Sequence, residues 1–404
     1  MVWDADAAEH LLRDLAPRVL GSLTRRWGDF AACEDAVQEA LLAALTADST
    51  PDDPLAWLTR VAQNRLIDQF RSDMARRRRE EQVIRAEPDP SGEVGQSDDT
   101  LLVLLRCCHP SLTPASAVAL TLRAVGGLTT AEIATAFLVP EKTMAQRISR
   151  AKQRLREQTD RFALPPAEEL PQRLRVVRHV LYLVFNEGYT STSGTGLHRV
   201  ELSTEAIRLT RLLLALRPDD PETTGMLALM LLTDARRPAR TGPSGELVPL
   251  PEQNRRLWDG DLVAEGVALA EAAWAHRPPG EYAIQAAIAA VHDRSPSTAE
   301  TDWPQVLTLY EALEQLSGNP MVSLNKAVAL AMVEGPDAAL ALLARLESGP
   351  LAGSHRLDAV RAHLYETAGD PGAAVAAYVR AARRTTNVAE KDYLTLRAAQ
   401  LHTP

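Results

Sequence analysis

Apolar residues recur at helical spacing through most of the chain, and no stretch of any length alternates apolar and polar residues as a half-buried strand does. The pattern predicts helices over Ala7–Arg26, Cys33–Leu45 and Pro54–Arg71. Arg76–Asp99 is charged, rich in Pro, Gly and Ser and poor in apolar residues, and reads as a flexible linker. A second helical unit spans about Thr100–Asp160, and Pro165, Pro166 and Pro171 punctuate its end. Helices resume from Leu170 to about Asp234, a turn-rich loop RRPARTGPSGELVPLPEQN follows, and more helices run from Leu257 to the end. The expected fold class is all-α, with segments at 5–75, 76–99, 100–160, 170–280 and 281–404.

Within the second unit, LTTAEIATAFLVPEKTMAQRISRAKQRLR reads as a helix-turn-helix. Thr129 or Thr130 suits the cap of its first helix, with Glu132 near the start. Ile133, Ala134 and Phe137 share a face, and Pro140 suits the first turn of the next helix. Met144, Ile148, Ala151 and Leu155 then follow at core spacing. That leaves Lys142, Thr143, Gln146, Arg147 and Arg150 facing outward, the positions from which a recognition helix reaches bases and phosphates. A surface hairpin with a solvated basic face has the same pattern. The turn holds Leu138-Val139-Pro140 where such motifs often carry Gly.

In Cys33–Leu45, Val37, Leu41, Ala44 and Leu45 form one face and Asp35, Gln38, Glu39 and Leu42 the other. The second face suits either docking on a basic partner or simple solvation. In Pro54–Arg71 a polar stripe of Arg60, Asn64, Asp68 and Arg71 leads into Arg76–Arg79, which suits a nucleic-acid backbone. Trp57 fits a core position or a stacking platform.

Charge sharpens this picture. The net charge of -9 argues against nucleic acid, but residues 60–79 hold seven Arg against two Asp, and 141–156 hold four Arg and two Lys against one Glu. Each is a basic island of net +5 on an acidic chain. The apolar runs fall short of the roughly 18 residues that span a bilayer, and MVWDADAAEH lacks the apolar core of a secretory signal, so the expected location is cytoplasmic, with no membrane partner. Cys33, Cys107 and Cys108 make no disulfide framework and read as small buried thiols rather than a sensor or metal site. His179, His198, His276 and His292 lack metal-ligand spacing. Asn186–Gly196 (NEGYTSTSGTG) suits an anion cradle in composition but lacks the glycine–lysine order of a P-loop. Asn186 and Glu187 read instead as helix caps or partners of buried backbone. No catalytic residue, metal or cofactor is expected. Near the end, Asn325–Leu346 resembles Val360–Ala381 with Gly335 aligned on Gly369, a period of about 34 residues and the length of a tetratricopeptide unit.

On these residues the sequence resembles the extracytoplasmic-function (ECF) class of bacterial RNA polymerase sigma factors. EDAVQEALLAAL resembles the family's core-binding helix, PLAWLTRVAQNRLIDQFRSDMARR the helix that melts and reads the −10 element, and Thr129–Arg156 the −35 helix-turn-helix. Order and separation match over roughly residues 5–160, with a short linker in place of the middle domain of housekeeping sigma factors. LYLVFNEGYTSTSG, ALMLLTDARRPAR and AAIAAVHDRSPSTAETDW are similar to a subgroup whose C-terminal extension carries tetratricopeptide-like repeats.

The resemblance implies core RNA polymerase and promoter DNA as partners; the fusion of a repeat-type surface to such a unit suggests that the extension regulates it in cis, docks polymerase or takes up a regulatory protein. It implies polymerase contacts from Asp35, Gln38 and Glu39, −10 contacts from Asn64, Arg65, Asp68 and Arg71, with Arg76 and Arg77 near phosphate, and −35 contacts from Lys142, Thr143, Gln146, Arg147 and Arg150. It also implies that the acidic linker, with Glu80, Glu81, Glu87, Asp89, Glu93, Asp98 and Asp99, threads near the polymerase active site. Two other classes remain open on sequence alone. One is a helix-turn-helix regulator that never joins polymerase, for which the Asp35–Gln38–Glu39 face is dispensable. The other is an enzyme with a site in residues 170–300 around Glu187 and His198, which requires a pocket of perturbed titrating groups.

Overall fold

The computed structural model describes residues 5–45, 53–80, 99–137, 139–158, 162–189, 200–243 and 245–402, with side chains outside 5–14, 45 and 72–80. Its regular elements are helices: α1 (Ala5–Trp27), α2 (Phe30–Leu45), α3 (Pro54–Glu80), α4 (Thr100–Cys107), α5 (Pro114–Ala124), α6 (Thr130–Ala136), α7 (Glu141–Arg156) and α8 (Leu170–Tyr189) come first. Then follow α9 (Val200–Leu216), α10 (Pro221–Ala235), α11 (Gly260–Ala275), α12 (Glu281–Arg294), α13 (Trp303–Ser317), α14 (Pro320–Glu334), α15 (Pro336–Leu346), α16 (His355–Thr367), α17 (Pro371–Arg384) and α18 (Val388–His402). The chain is all-α with a long helical extension. No helix among the described residues is long and apolar enough to cross a membrane.

Many starts use one device, a capping side chain followed at once by proline. Thr113, Asp220, Asn319 and Asp370 each accept a bond from a backbone N–H of the first turn, and Pro114, Pro221, Pro320 and Pro371 stand next in line. The cap satisfies an orphan donor, and proline fixes φ where no N–H is needed. The linker reading shifts at both edges. α3 continues through Arg76–Arg79 to Glu80, because Arg is a good helix former and extending an existing helix needs no new nucleus. Asp99 is buried against Arg25. Residues 81–98, with Glu81, Glu87, Asp89, Glu93 and Asp98, lie outside the described residues.

The chain divides into two compact units, residues 1–183 and 184–404. In the first, α2 and α3 pack on α1, α4 and α5 pack on α1 and on each other, and α7 packs on α2, α5 and α6. Leu20, Leu23, Leu58, Leu66, Leu104 and Leu120 are among its fully buried side chains.

The second unit is built from overlapping cores. One joins α10, α11 and α12 through Leu232, Ala270 and Ala286. The next joins α12, α13 and α14 through Ile284, Val306 and Val322. A third joins α14, α15 and α16 through Leu324, Leu343 and Leu364, and a fourth joins α16, α17 and α18 through Ala362, Tyr378 and Leu394. Each core hands one helix to the next, the one-dimensional logic of repeat proteins. The repeat read from the sequence falls on α14–α15 and α16–α17. Gly335 (φ 94°) and Gly369 (φ 77°) make the corresponding turns, where a side chain would be strained.

Candidate nucleic-acid interface

The helix-turn-helix is assembled from local signals. The Thr129 hydroxyl accepts from the Glu132 N–H at 3.2 Å, and the Glu132 carboxylate accepts from the Thr129 N–H at 2.6 Å. This reciprocal pair satisfies two orphan donors at the start of α6. α6 buries Ile133 and Ala134, while Phe137 is half-buried just beyond its end. The Val139 N–H returns to the Ala134 carbonyl at 3.0 Å, and Pro140 stands at the cap of α7 rather than within its first turn.

α7 buries Met144, Ile148, Ala151 and Leu155. Lys142, Thr143, Gln146 and Arg150 are exposed, and Arg147 is half-buried. A basic face is thus left to solvent, and its long side chains are donors of the kind that guanine edges and phosphates accept.

On α3, Leu58, Ala62 and Leu66 are buried, so Arg60, Asn64, Asp68 and Arg71 stand outward with Arg65. Trp57 is half-buried, and Phe70 stacks on Trp27 with centroids 5.1 Å apart. Arg76 and Arg77 lie on α3, with side chains outside the described set.

The face on α2 is more divided than its periodicity implies. Glu39 is exposed and lies 3.4 Å from Arg65, and Leu42 is 58% exposed. Gln38 is buried, because its amide donates to the Arg123 carbonyl at 3.0 Å. Asp35 pairs with Lys152 at 2.6 Å, and its neighbour Glu34 is fully buried between Lys152 and Arg123. Glu34, Arg123 and Lys152 escaped the sequence reading. Their partners lie some ninety to a hundred and twenty positions away, and the only local hint is that Lys152 directly follows the buried Ala151.

Burial pushes the thiols of Cys33 and Cys108 up to about 12 and raises that of Cys107 well above its ordinary value, so all three remain protonated near neutral pH. Among the described residues no group of three or more His, Cys, Asp or Glu is placed to hold a metal ion.

In the second unit, three stretches singled out in the sequence meet. Asn186–Tyr189 form the last turn of α8 rather than a loop, and His198 lies outside the described residues. The Arg240 guanidinium lies 3.8 Å from the Tyr189 ring and donates to the Tyr189 carbonyl at 2.7 Å. Arg236 donates to Asp293 at 2.6 Å and to the Ala289 carbonyl at 3.2 Å. Arg255 stacks on Trp258 and bonds the Ser295 carbonyl at 2.6 Å. Burial holds His292 down at about 4, helped by the nearby Arg236 and Arg255, and pushes Asp293 up to about 6 despite Arg236. Each arginine ties a helix end to another element, as a structural brace does.

Residues 11–77 match the family described as Sigma-70 region 2, and residues 102–155 the one described as Sigma-70, region 4. Residues 173–274 match a family of unknown function, DUF6596. An uncharacterized protein of Rhizobium meliloti (strain 1021), R00370, is 39% identical over 400 residues, 95% of this chain and 93% of that protein. The probable ECF RNA polymerase sigma factor SigI of Mycobacterium tuberculosis (strain ATCC 25618 / H37Rv) is 30% identical over 175 residues, 41% of this chain and 57% of that protein. Among solved structures, a thermophilic TPR protein of Thermus thermophilus, TTC0263, covers 50% of this chain and 91% of its own at 18% identity and a TM-score of 0.35.

Proposed function

We propose, from the premise that this chain belongs to the ECF sigma factors, with Sigma-70 regions 2 and 4 ahead of a long helical extension, that it joins core RNA polymerase and directs it to a particular set of promoters. The observation that carries this reading is the pair of exposed polar faces, on α3 and on α7, each standing on a buried apolar stripe. In this reading α7 lies in the major groove of the −35 element with Lys142, Thr143, Gln146, Arg147 and Arg150. α3 holds the unpaired −10 strand with Asn64, Arg65, Asp68 and Arg71, and Arg76 and Arg77 lie along phosphate. Asp35, Gln38 and Glu39 on α2 meet the polymerase.

The chain does no covalent chemistry in this scheme. It positions polymerase, and two weak tethered DNA contacts sum to a specific one. An acidic chain with two small basic islands binds DNA poorly alone, which suits a subunit that acts only in the complex. The extension regulates the sigma part or docks polymerase, and its work is in the cytoplasm. The test is reconstitution of the full chain with core polymerase on a promoter library. Selective run-off transcription is the expected result, lost when Gln146 and Arg150 are both changed to Ala. Failure to bind core polymerase overturns the reading.

A further inference from the structure

A cavity of about 360 Å³ opens within the first unit, between α4, the Pro-rich stretch 162–169 and the first turn of α8. The proposed function gives it no role. Leu102, Leu105, Phe162 and Leu164 form apolar walls, and Pro165 and Pro166, with φ fixed by their rings, stiffen one side. Leu102 and Leu105 are buried, whereas Leu164 is 55% exposed at the mouth. The polar lining is Arg106, His109, Glu169 and Arg173. Arg106 donates through Nη2 to the Leu155 carbonyl at 2.9 Å, and Arg173 through Nη2 to the Leu105 carbonyl at 3.0 Å. A neutral carbonyl thus fixes the Arg173 guanidinium without cancelling its charge. The Nε–H of Arg173 is buried and meets no acceptor among the described residues. His109 Nδ1 accepts from the Ser111 N–H at 3.1 Å, so the neutral ring carries its proton on Nε2 and is a donor too.

We propose that this cavity binds a small organic anion: a monocarboxylate that bears an apolar group, such as a phenyl ring or a short alkyl chain. Its carboxylate accepts from Arg173, whose Nε–H and Nη–H form a parallel fork that matches two carboxylate oxygens. Its apolar group lies on Leu102, Leu105 and Phe162. Size and lining agree with this class, since small-molecule sites are mostly apolar clefts in which a few polar groups set the orientation. A buried N–H without an acceptor is costly to leave so, and a ligand oxygen relieves that cost. The Arg173 side chain has already lost its freedom to the Leu105 carbonyl, so little more is lost on binding. An inorganic anion leaves the apolar walls in contact with water, and a neutral apolar molecule leaves the guanidinium unmatched. Only a molecule with both parts answers both halves of the lining. Bound there, it touches α4 of region 4 and the first turn of α8 at once and holds them together.

The experiment titrates the full chain at neutral pH with phenylacetate, 2-phenylethanol, acetate and inorganic phosphate by isothermal titration calorimetry. Phenylacetate should bind at least about tenfold more tightly than each of the other three, because each of them lacks one half of the match. It should also raise the melting temperature, as any ligand of the folded state does. Arg173→Gln should weaken phenylacetate binding at least about tenfold, the usual loss when a charged hydrogen-bond partner is removed. Should that variant fold poorly, Ala163→Trp, on an exposed lining residue, fills the mouth and should abolish the binding heat. Glu169→Gln removes a like charge from the lining and should tighten phenylacetate about twofold, a gain that damage to the fold would not give. Absence of phenylacetate binding, or binding unchanged by both Arg173→Gln and Ala163→Trp, overturns the proposal. So does 2-phenylethanol, acetate or phosphate binding as tightly as phenylacetate, since the cavity then reads only one half of the ligand.

Discussion

In residues 1–183, helices distant in the sequence meet through charged groups: Arg25 with Asp99, Glu34 with Lys152, Asp29 with Arg156. In residues 184–404 each helix packs on the next, and Leu, Ile, Val and Ala fill cores that share helices. The two designs differ in what separation costs. Parting charged surfaces returns ions to water, so the loss is small. Parting apolar cores exposes side chains worth roughly 1.5–3 kcal/mol each. The charged pairs of the first unit can part at little cost, and the shared apolar cores of the second cannot.

The sharpest way to break this contrast is in α14, which contributes Val322 to one core and Leu324 to the next. Leu324→Ala should cost about 2–5 kcal/mol in urea unfolding, through the lost methyl groups and the cavity they leave. A loss under about 1 kcal/mol would show that the core relaxes freely and that the overlap carries little. Next in size is the exposed face of α7. Arg150→Ala should lower promoter-specific transcription by about 1–3 kcal/mol of recognition, on the order of ten- to hundredfold, without moving the melting temperature. Equal loss on every DNA sequence would reassign Arg150 from base to phosphate. Smaller still is the cap of α6: Thr129→Ala should destabilise region 4 by ~1 kcal/mol, and calorimetry reads it directly.

In the wild-type protein the net pH slope of the second unit should be small, because two groups oppose each other. His292 folds neutral, held at about 4 against an ordinary 6.5, so its share of stability is present above 6.5 and lost as pH falls toward 4. Asp293, held at about 6 against 3.8, acts in the opposite sense: its share is present at low pH and lost as pH rises toward 6. The two slopes oppose each other between pH 4 and 6. His292→Asn should leave the Asp293 slope alone, so that the variant's melting temperature falls as pH rises through that window. A variant profile parallel to wild type would show that His292 does not titrate there.

Short-range order was legible and long-range pairing was not. Met144, Ile148, Ala151 and Leu155 announce one buried face of α7 by spacing alone, and Thr129 with Glu132 announces where α6 begins. Gly335 and Gly369 mark two turns of the repeat for the same reason, since φ and period are local properties. Gln38 has the spacing of an outward residue, yet a carbonyl 85 positions away buries it. Tyr189, Arg240 and Asp293 could be picked out as parts of unusual segments, but nothing in one segment names the other two. The Arg run at 76–79 reads as linker by composition and is helix by continuation, because α3 had already met the cost of nucleation.

Arg25 and Asp99, 74 positions apart, belong to one polypeptide. Two surfaces joined by a tether meet at an effective concentration on the order of millimolar, whatever the amount of protein in the cell. The contact between them therefore forms and parts within one molecule, and its occupancy does not change with the concentration of the protein.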